Sequence, residues 1–287
     1  MDPATIVKLI LISGIALNVV AIGVRARPAD ALALVRKPDL AVRSMAAMFL
    51  FVPAFVMILS VLLGLTGPVP AVLLALSVAP MPPLISNKEL DAGGDPEYAI
   101  GLQMLATLFS IAVMPLMILL AGVVFGRSDT FYPVPMVMVL MITVLAPMLI
   151  GMTLGHFLPD ARRAIATWAG RIGWTALGLG AVALLAARGS DIIDRLGDGT
   201  LLICVVIVAA ALAIGHLLGG PKPGNRRALA ITCAARHPGV AISVVTPLMP
   251  EAGGAVLGMA GLYWLVSFAM TIPYLKWQRA KAAGPAG

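Results

Sequence analysis

Arg236 and His237 stand side by side in an otherwise apolar stretch, directly before Pro238-Gly239. A guanidinium in such a setting suits bidentate pairing with a carboxylate or sulfonate. An imidazole titrates near neutral pH and can pass a proton, or it can simply bond a backbone carbonyl freed by a break in the helix. An Arg inside a membrane span costs at least about 2.5–3.5 kcal/mol, so Arg236 is expected to face a cavity and to have a partner. That partner is either a substrate anion or an acid such as Glu89 or Asp91. Glu89, next to Lys88, could equally carry a proton or form a hydrated helix end. Gln103, Thr107 and Ser110 recur at i, i+4 and i+7 and so form one polar stripe on a helix, facing either a site or a neighbouring helix. No nucleophile, triad or phosphate loop accompanies these residues. The run Gly219-Gly220-Pro221-Lys222-Pro223-Gly224 lacks P-loop spacing, His156 and His216 have no partner at metal-ligand spacing, and Cys204 and Cys233 sit in apolar runs. The expectation is a protein that is not an enzyme and needs no cofactor and no metal centre.

The elements that must position these groups are membrane spans. Of 287 residues 60% are hydrophobic and 11% charged, against roughly 45–50% and 25% in soluble domains. Runs of about 20 apolar residues bounded by charge or Pro/Gly give nine segments. They are A 4–24, B 41–64, C 70–90, D 98–125, E 133–156, F 162–187, G 199–218, H 227–250 and I 252–276. Each must be helical, because in lipid a span satisfies its backbone groups internally. Residues 1–287 therefore read as a single membrane domain. The net charge of +7 is spread one to three residues at a time between apolar runs, which is a topology signal and not a nucleic-acid surface. Fourteen of the 20 Lys and Arg residues fall on the side where A, C, E, G and I end, and only Arg127, Arg188 and Arg195 on the other. This predicts an outside N-terminus and a cytoplasmic C-terminus, and the Ala-, Arg- and Gly-rich usage points to a bacterial inner membrane. Asp2 and Lys8 make a poor leader n-region, so the first run is expected to stay as a span. Pro28 to Lys37 reads as an interfacial or basic connector, and Asp91 to Glu97 as a turn-rich mouth. Ala169 with Gly173, and Gly254 with Gly258, have the spacing of close helix contacts.

Two spans are interrupted alike. Segment C carries Pro80, Pro82 and Pro83, and segment H carries Arg236-His237-Pro238; each follows a Leu-Leu-Gly, at residues 62–64 and 217–219. A constant offset of 155 places Pro83 on Pro238. Three prolines within four residues cannot continue a helix. Freed backbone at membrane depth is tolerated only against protein or a water-filled cavity, and paired broken spans point to a transporter's binding site. H lies five spans after C, so the repeats, 4–125 and 133–276, run in opposite directions. The fold class is an all-α polytopic membrane protein with about nine transmembrane helices in an inverted repeat containing two broken, crossing helices.

With Met48-Phe49-Leu50-Phe51-Val52-Pro53 in B, the proline-broken crossover ending Ser86-Asn87 in C, helix D reaching Pro115, and Arg236-His237-Pro238-Gly239 in H, the sequence resembles the bile acid:sodium symporter family. The resemblance implies inverted repeats of five spans, here with the first absent, and coupling to two sodium ions. It places ion ligands at Ser86, Asn87 and Thr107, with Gln103 one turn earlier. The family's central glutamate falls on Thr232, its partner glutamine on Arg236, the following asparagine on His237, and the glutamine of B on Met48. Loss of the carboxylate and entry of a guanidinium reverse the local charge. Arg236 is therefore expected to occupy the space of one sodium, leaving coupling to Na+ weakened or absent.

The resulting expectation is a secondary transporter of a small or amphipathic organic anion. Arg236, His237, Gln103 and Glu89 contact the substrate, Ser86, Asn87, Thr107 and Thr232 hold any residual ion, and Pro80, Pro82, Pro83, Pro238 and Gly239 shape the crossover. The resemblance also implies a panel, taken as A, B, F and G, against which the crossover bundle rocks. The alternatives are a proton-coupled or exchange transporter of the same fold, and a non-transporting membrane sensor. The partners expected are the lipid bilayer and the substrate, with no nucleic acid and no obligate protein partner.

Overall fold

The structure is a computed structural model that describes residues 3–26, 34–80, 96–126, 138, 140–194 and 199–283. Among these residues the regular structure is entirely helical. The helices are α1 (Pro3–Arg25), α2 (Pro38–Leu62), α3 (Pro68–Val78), α4 (Pro96–Val124), α5 (Met141–Phe157), α6 (Arg162–Asp194), α7 (Thr200–Leu218), α8 (Pro223–Ala234), α9 (Pro238–Val245) and α10 (Gly253–Ala283). Six of them open on a proline, where the fixed φ suits the first turn and the missing N–H would have had no helical partner. Gly67 precedes α3 at φ 68° and ψ −143°, a conformation that a side chain would strain. The helices follow segments A to I, with H divided into α8 and α9. Five helical stretches are long and apolar enough to cross a membrane, the α8–α9 stretch among them, and shorter apolar helices accompany them. The chain is an all-α, multi-pass membrane protein.

The broken segments are short for a physical reason. α3 has 11 residues and α8 has 12. At about 1.5 Å per residue each reaches roughly 16–18 Å, about half of the hydrocarbon thickness. α3 gives way to extended backbone at Ala79, and α8 at Ala235. Those two positions differ by one residue from the offset of 155. Ser86, Asn87, Glu89, Pro82, Pro83, Lys88 and Asp91, and the connector and mouth segments at 27–33 and 91–95, lie outside the described residues.

Packing divides the helices into two groups. α1 lies along both α5 and α6. Its contact with α5 is backbone on backbone: a Cβ at Gly151 would meet the carbonyl oxygen of Val20, one at Gly23 that of Met148, and one at Gly155 that of Val24. Gly151 and Gly155 are a GxxxG pair that the sequence reading passed over. The Ala169/Gly173 pair does make a close contact, with Gly173 against Asn18 of α1. In the second group α2 packs on α3 and α7, α3 on α4, α9 and α10, and α7 on α8 and α10. Ser44 and Tyr98 share a 2.8 Å hydrogen bond that ties α2 to α4. The expected panel of A, B, F and G is thus corrected: α2 and α7 belong with the crossover helices, while α1 is joined by α5 and α6. The two groups meet where α6 packs on α10 and where Ile15 of α1 presses on Gly239 at the start of α9.

Candidate functional site: the crossover

The C-terminal ends of α3 and α8 converge on one side chain. Arg236 is 1% exposed and donates from Nε to the Cys233 carbonyl (3.1 Å), from Nη1 to the Ala79 carbonyl (3.1 Å) and from Nη2 to the Met48 carbonyl (3.2 Å). Two acceptors sit at the negative ends of helices, where a cation is favoured. The third comes from inside α2 and has a local cause. Residues Ala47–Phe51 form a π turn in which the Val52 N–H reaches back to the Ala47 carbonyl. The next carbonyl in that register, Met48, would need the N–H of residue 53, which is Pro53 and has none. The guanidinium supplies the missing donor. It also lies 6.0 Å from the centroid of Phe49, which stacks on Phe109. The described partners of Arg236 are thus backbone oxygens, neither of the two kinds of partner expected for it.

Three further carbonyls at the breaks are also taken by protein donors. The His237 N–H bonds the Pro80 carbonyl at 2.9 Å and so joins the two breaks directly. The Ala234 carbonyl accepts from both Tyr263 Oη and Ser267 Oγ, each at 3.0 Å, from α10. The Ala235 N–H closes on the Ile231 carbonyl at 2.8 Å. Because the two α10 hydroxyls share one acceptor, removing either leaves it satisfied. Tyr263→Phe and Ser267→Ala should each destabilise by about 0.5–1.5 kcal/mol, while the double variant exposes the carbonyl and should exceed their sum by roughly 1 kcal/mol. Denaturant unfolding of the four proteins in one detergent measures that excess, and strict additivity would remove the shared-acceptor account.

The other expected site residues fall as follows. Thr232 is fully buried on α8 and donates to the Ala228 carbonyl at 2.9 Å. Gln103, Thr107 and Ser110 are all buried on α4, as one stripe; Thr107 donates to the Gln103 carbonyl at 2.8 Å and Ser110 to that of Ala106 at 2.7 Å. These hydroxyls keep lone pairs for a further partner but spend their protons on their own helix. Pro80 lies in the first break, two residues beyond the end of α3, and Pro238 starts α9. A Cβ on Gly239 would press into Ile15, so the glycine lets the two helix groups approach at the crossover.

His237 differs from its neighbours. His237 is 3% exposed, yet among the described residues neither Nδ1 nor Nε2 has a hydrogen-bond partner. A buried imidazole with both nitrogens idle is a polar group waiting for one, since leaving it bare costs about 1–3 kcal/mol. The crossover therefore holds a fixed cation that spends three of its five N–H donors on backbone carbonyls and, next in sequence, an imidazole with no partner among the described residues. Met48, Tyr263 and Ser267 were not foreseen as donors or acceptors here; the signal that existed was Pro53 five residues after Met48. Among the described residues no group of three or more His, Cys, Asp or Glu could hold a metal ion.

Comparison with curated proteins finds no match. The model of the sodium bile acid symporter family matches residues 12–195, which runs from within α1 to the end of α6 and stops before the segment that carries Arg236. That span is well over half of the chain, and the protein belongs to the sodium bile acid symporter family.

Proposed function

We propose that the protein is a secondary carrier of a small or amphipathic organic anion, working by alternating access, in which a tethered guanidinium stands where a coupling cation would otherwise sit. The observation that carries this is the ligand set of Arg236: three backbone oxygens from three elements, two of them at helix ends, which is the kind of oxygen cage an alkali cation would seek. An ion in the same cage would lie about 4–5 Å or less from the fixed charge and be repelled by several kcal/mol at an effective dielectric near 20. Thr232, in place of a carboxylate, offers no compensating charge. In this reading α1, α5 and α6 move against the rest, the repeats are 4–125 and 133–276, and the C-terminus faces the cytoplasm. The positive centre favours an anionic substrate, and His237, beside the Ile15–Gly239 contact between the helix groups, meets it. Glu89, Ser86, Asn87 and Gln103 would complete the polar lining. The unused imidazole of His237 favours proton coupling or exchange over sodium symport.

Two measurements test this. Thermal unfolding in sodium chloride against choline chloride at equal ionic strength should give the same Tm for the wild type, and a sodium-specific rise for Arg236→Gln. A sodium-specific rise in the wild type would overturn the cation replacement, and that comparison decides alone if the variant does not fold. Counterflow in proteoliposomes, with labelled carboxylates and sulfonates outside and the unlabelled compound inside, should show transient accumulation for at least one of them. A folded protein that gives none with any would overturn the carrier reading in favour of a sensor.

A further inference from the structure

A second polar centre lies where α7 ends, α8 begins and α10 leaves the span. His216 Nδ1 is 2.8 Å from Tyr274 Oη, the two rings meet edge to face at 6.0 Å, and both lie against Trp277, at 6.4 and 6.2 Å. The ammonium of Lys281 sits 4.1 Å over the Trp277 ring. The charges of Arg226 and Lys281 both act on His216, and that of Arg227 acts on the Tyr274 hydroxyl. Three cations thus surround one aromatic group, and none of them is paired with a carboxylate among the described residues. Arg226 spends its Nε on the Gly220 carbonyl at 2.6 Å. Arg227 has a buried Nε with no acceptor among the described residues. Among the described residues no side chain caps the N-terminus of α8, which begins beside them. A buried, unpartnered guanidinium N–H and uncapped helix N–H groups beside a surplus of positive charge call for an anion with several acceptor oxygens.

Position decides its source. The centre closes the ends of three spans, with Leu217 and Ile272 exposed toward the lipid just within it. Aromatic rings paired with Lys and Arg at that depth match the level of phospholipid headgroups. We propose that this cluster is a seat for the phosphodiester of an anionic phospholipid, with Arg226, Arg227 and Lys281 holding the phosphate and Trp277 and Tyr274 bracing the glycerol and upper acyl chain. By the charge asymmetry of the loops the lipid belongs to the cytoplasmic leaflet. The site is independent of the transport reading, because it lies at the ends of the helices and shares no residue with the crossover.

The test uses the full chain in detergent, titrated with mixed micelles carrying dioleoyl phosphatidylglycerol or dioleoyl phosphatidylcholine, or with inorganic phosphate, while Tm is followed. Phosphatidylglycerol should raise Tm by several degrees, and the other two should not. Arg227→Gln combined with Lys281→Gln should remove at least half of that rise, whereas Arg163→Gln, an exposed basic residue elsewhere, should leave it intact. An equal rise with phosphatidylcholine would overturn the proposal, as would an equal rise with inorganic phosphate or an equal loss in Arg163→Gln. The Tm of each variant in phosphatidylcholine alone reports whether it folds. Should the double variant fail there, Lys281→Gln alone, at an exposed site, is expected to weaken the phosphatidylglycerol rise, and an unchanged rise overturns the seat.

Discussion

Arg236→Ala is expected to lower the unfolding free energy by about 3–5 kcal/mol, within the sum for three buried acceptors left without a donor. The substitution leaves the carbonyls of Cys233, Ala79 and Met48 without their donor. Each unpaired buried acceptor is worth about 1–3 kcal/mol, and their sum is an upper limit because water entering the gap satisfies some of them. Arg236→Lys should recover only part of the loss, since a compact ammonium on a shorter head cannot reach three acceptors set around a planar fork. Arg43→Ala supplies the contrast. That guanidinium pairs with Asp39 at 2.9 Å, but both side chains are largely exposed, and the expected change is below about 1 kcal/mol. Denaturant titration of the three variants and the wild type in one detergent checks the order. A loss at Arg236 no larger than that at Arg43 would mean that the three carbonyls do not depend on it.

The second large effect is expected at Gly151. Replacement by Val puts side-chain carbon where the Val20 carbonyl oxygen of α1 lies, and backbone cannot turn aside as a flexible side chain can. α1 and α5 must then separate along a contact that includes Gly23 and Gly155, with a loss of about 3 kcal/mol, the upper end for overpacking. The visible outcome is a fall in monodisperse protein on size-exclusion chromatography and a lower Tm. Gly178→Ala on α6 is the control, because nothing lies within 4 Å of an added Cβ there. It should be neutral or gain up to about 1 kcal/mol from helix propensity. Equal losses at the two positions would sink the close-contact account.

The sequence showed the spans well, because apolar length is a local property: α1 runs Pro3–Arg25 where 4–24 was expected, and α7 runs Thr200–Leu218 where 199–218 was expected. The break in segment H was equally legible from Pro238 and the charge before it. The grouping of helices was not. Which of α2 and α5 lies against α1 depends on glycine surfaces that meet across the chain, and Gly151-Gly155 was overlooked while Gly254-Gly258 drew notice. At the site, the sequence announced that Arg236 needed a partner but directed the search to carboxylates. Its described partners are carbonyls, which every residue has and which become available only through a π turn and a proline. His237 stood out in sequence as polar in an apolar place, but that its ring finds no partner among the described residues is a fact of three-dimensional packing.

The span of the Arg236 bonds along the chain has a consequence for biosynthesis. Two of its acceptors, at Ala79 and Met48, precede it by 157 and 188 residues. At roughly 5–20 residues per second the ribosome needs about 8–40 s to cover those intervals. The oxygen acceptors are therefore made, and α2 and α3 handed to the bilayer, well before the guanidinium leaves the exit tunnel. The segment whose own charge opposes insertion arrives after its receptacle, so its partition into the membrane is assisted by nascent tertiary structure already in place.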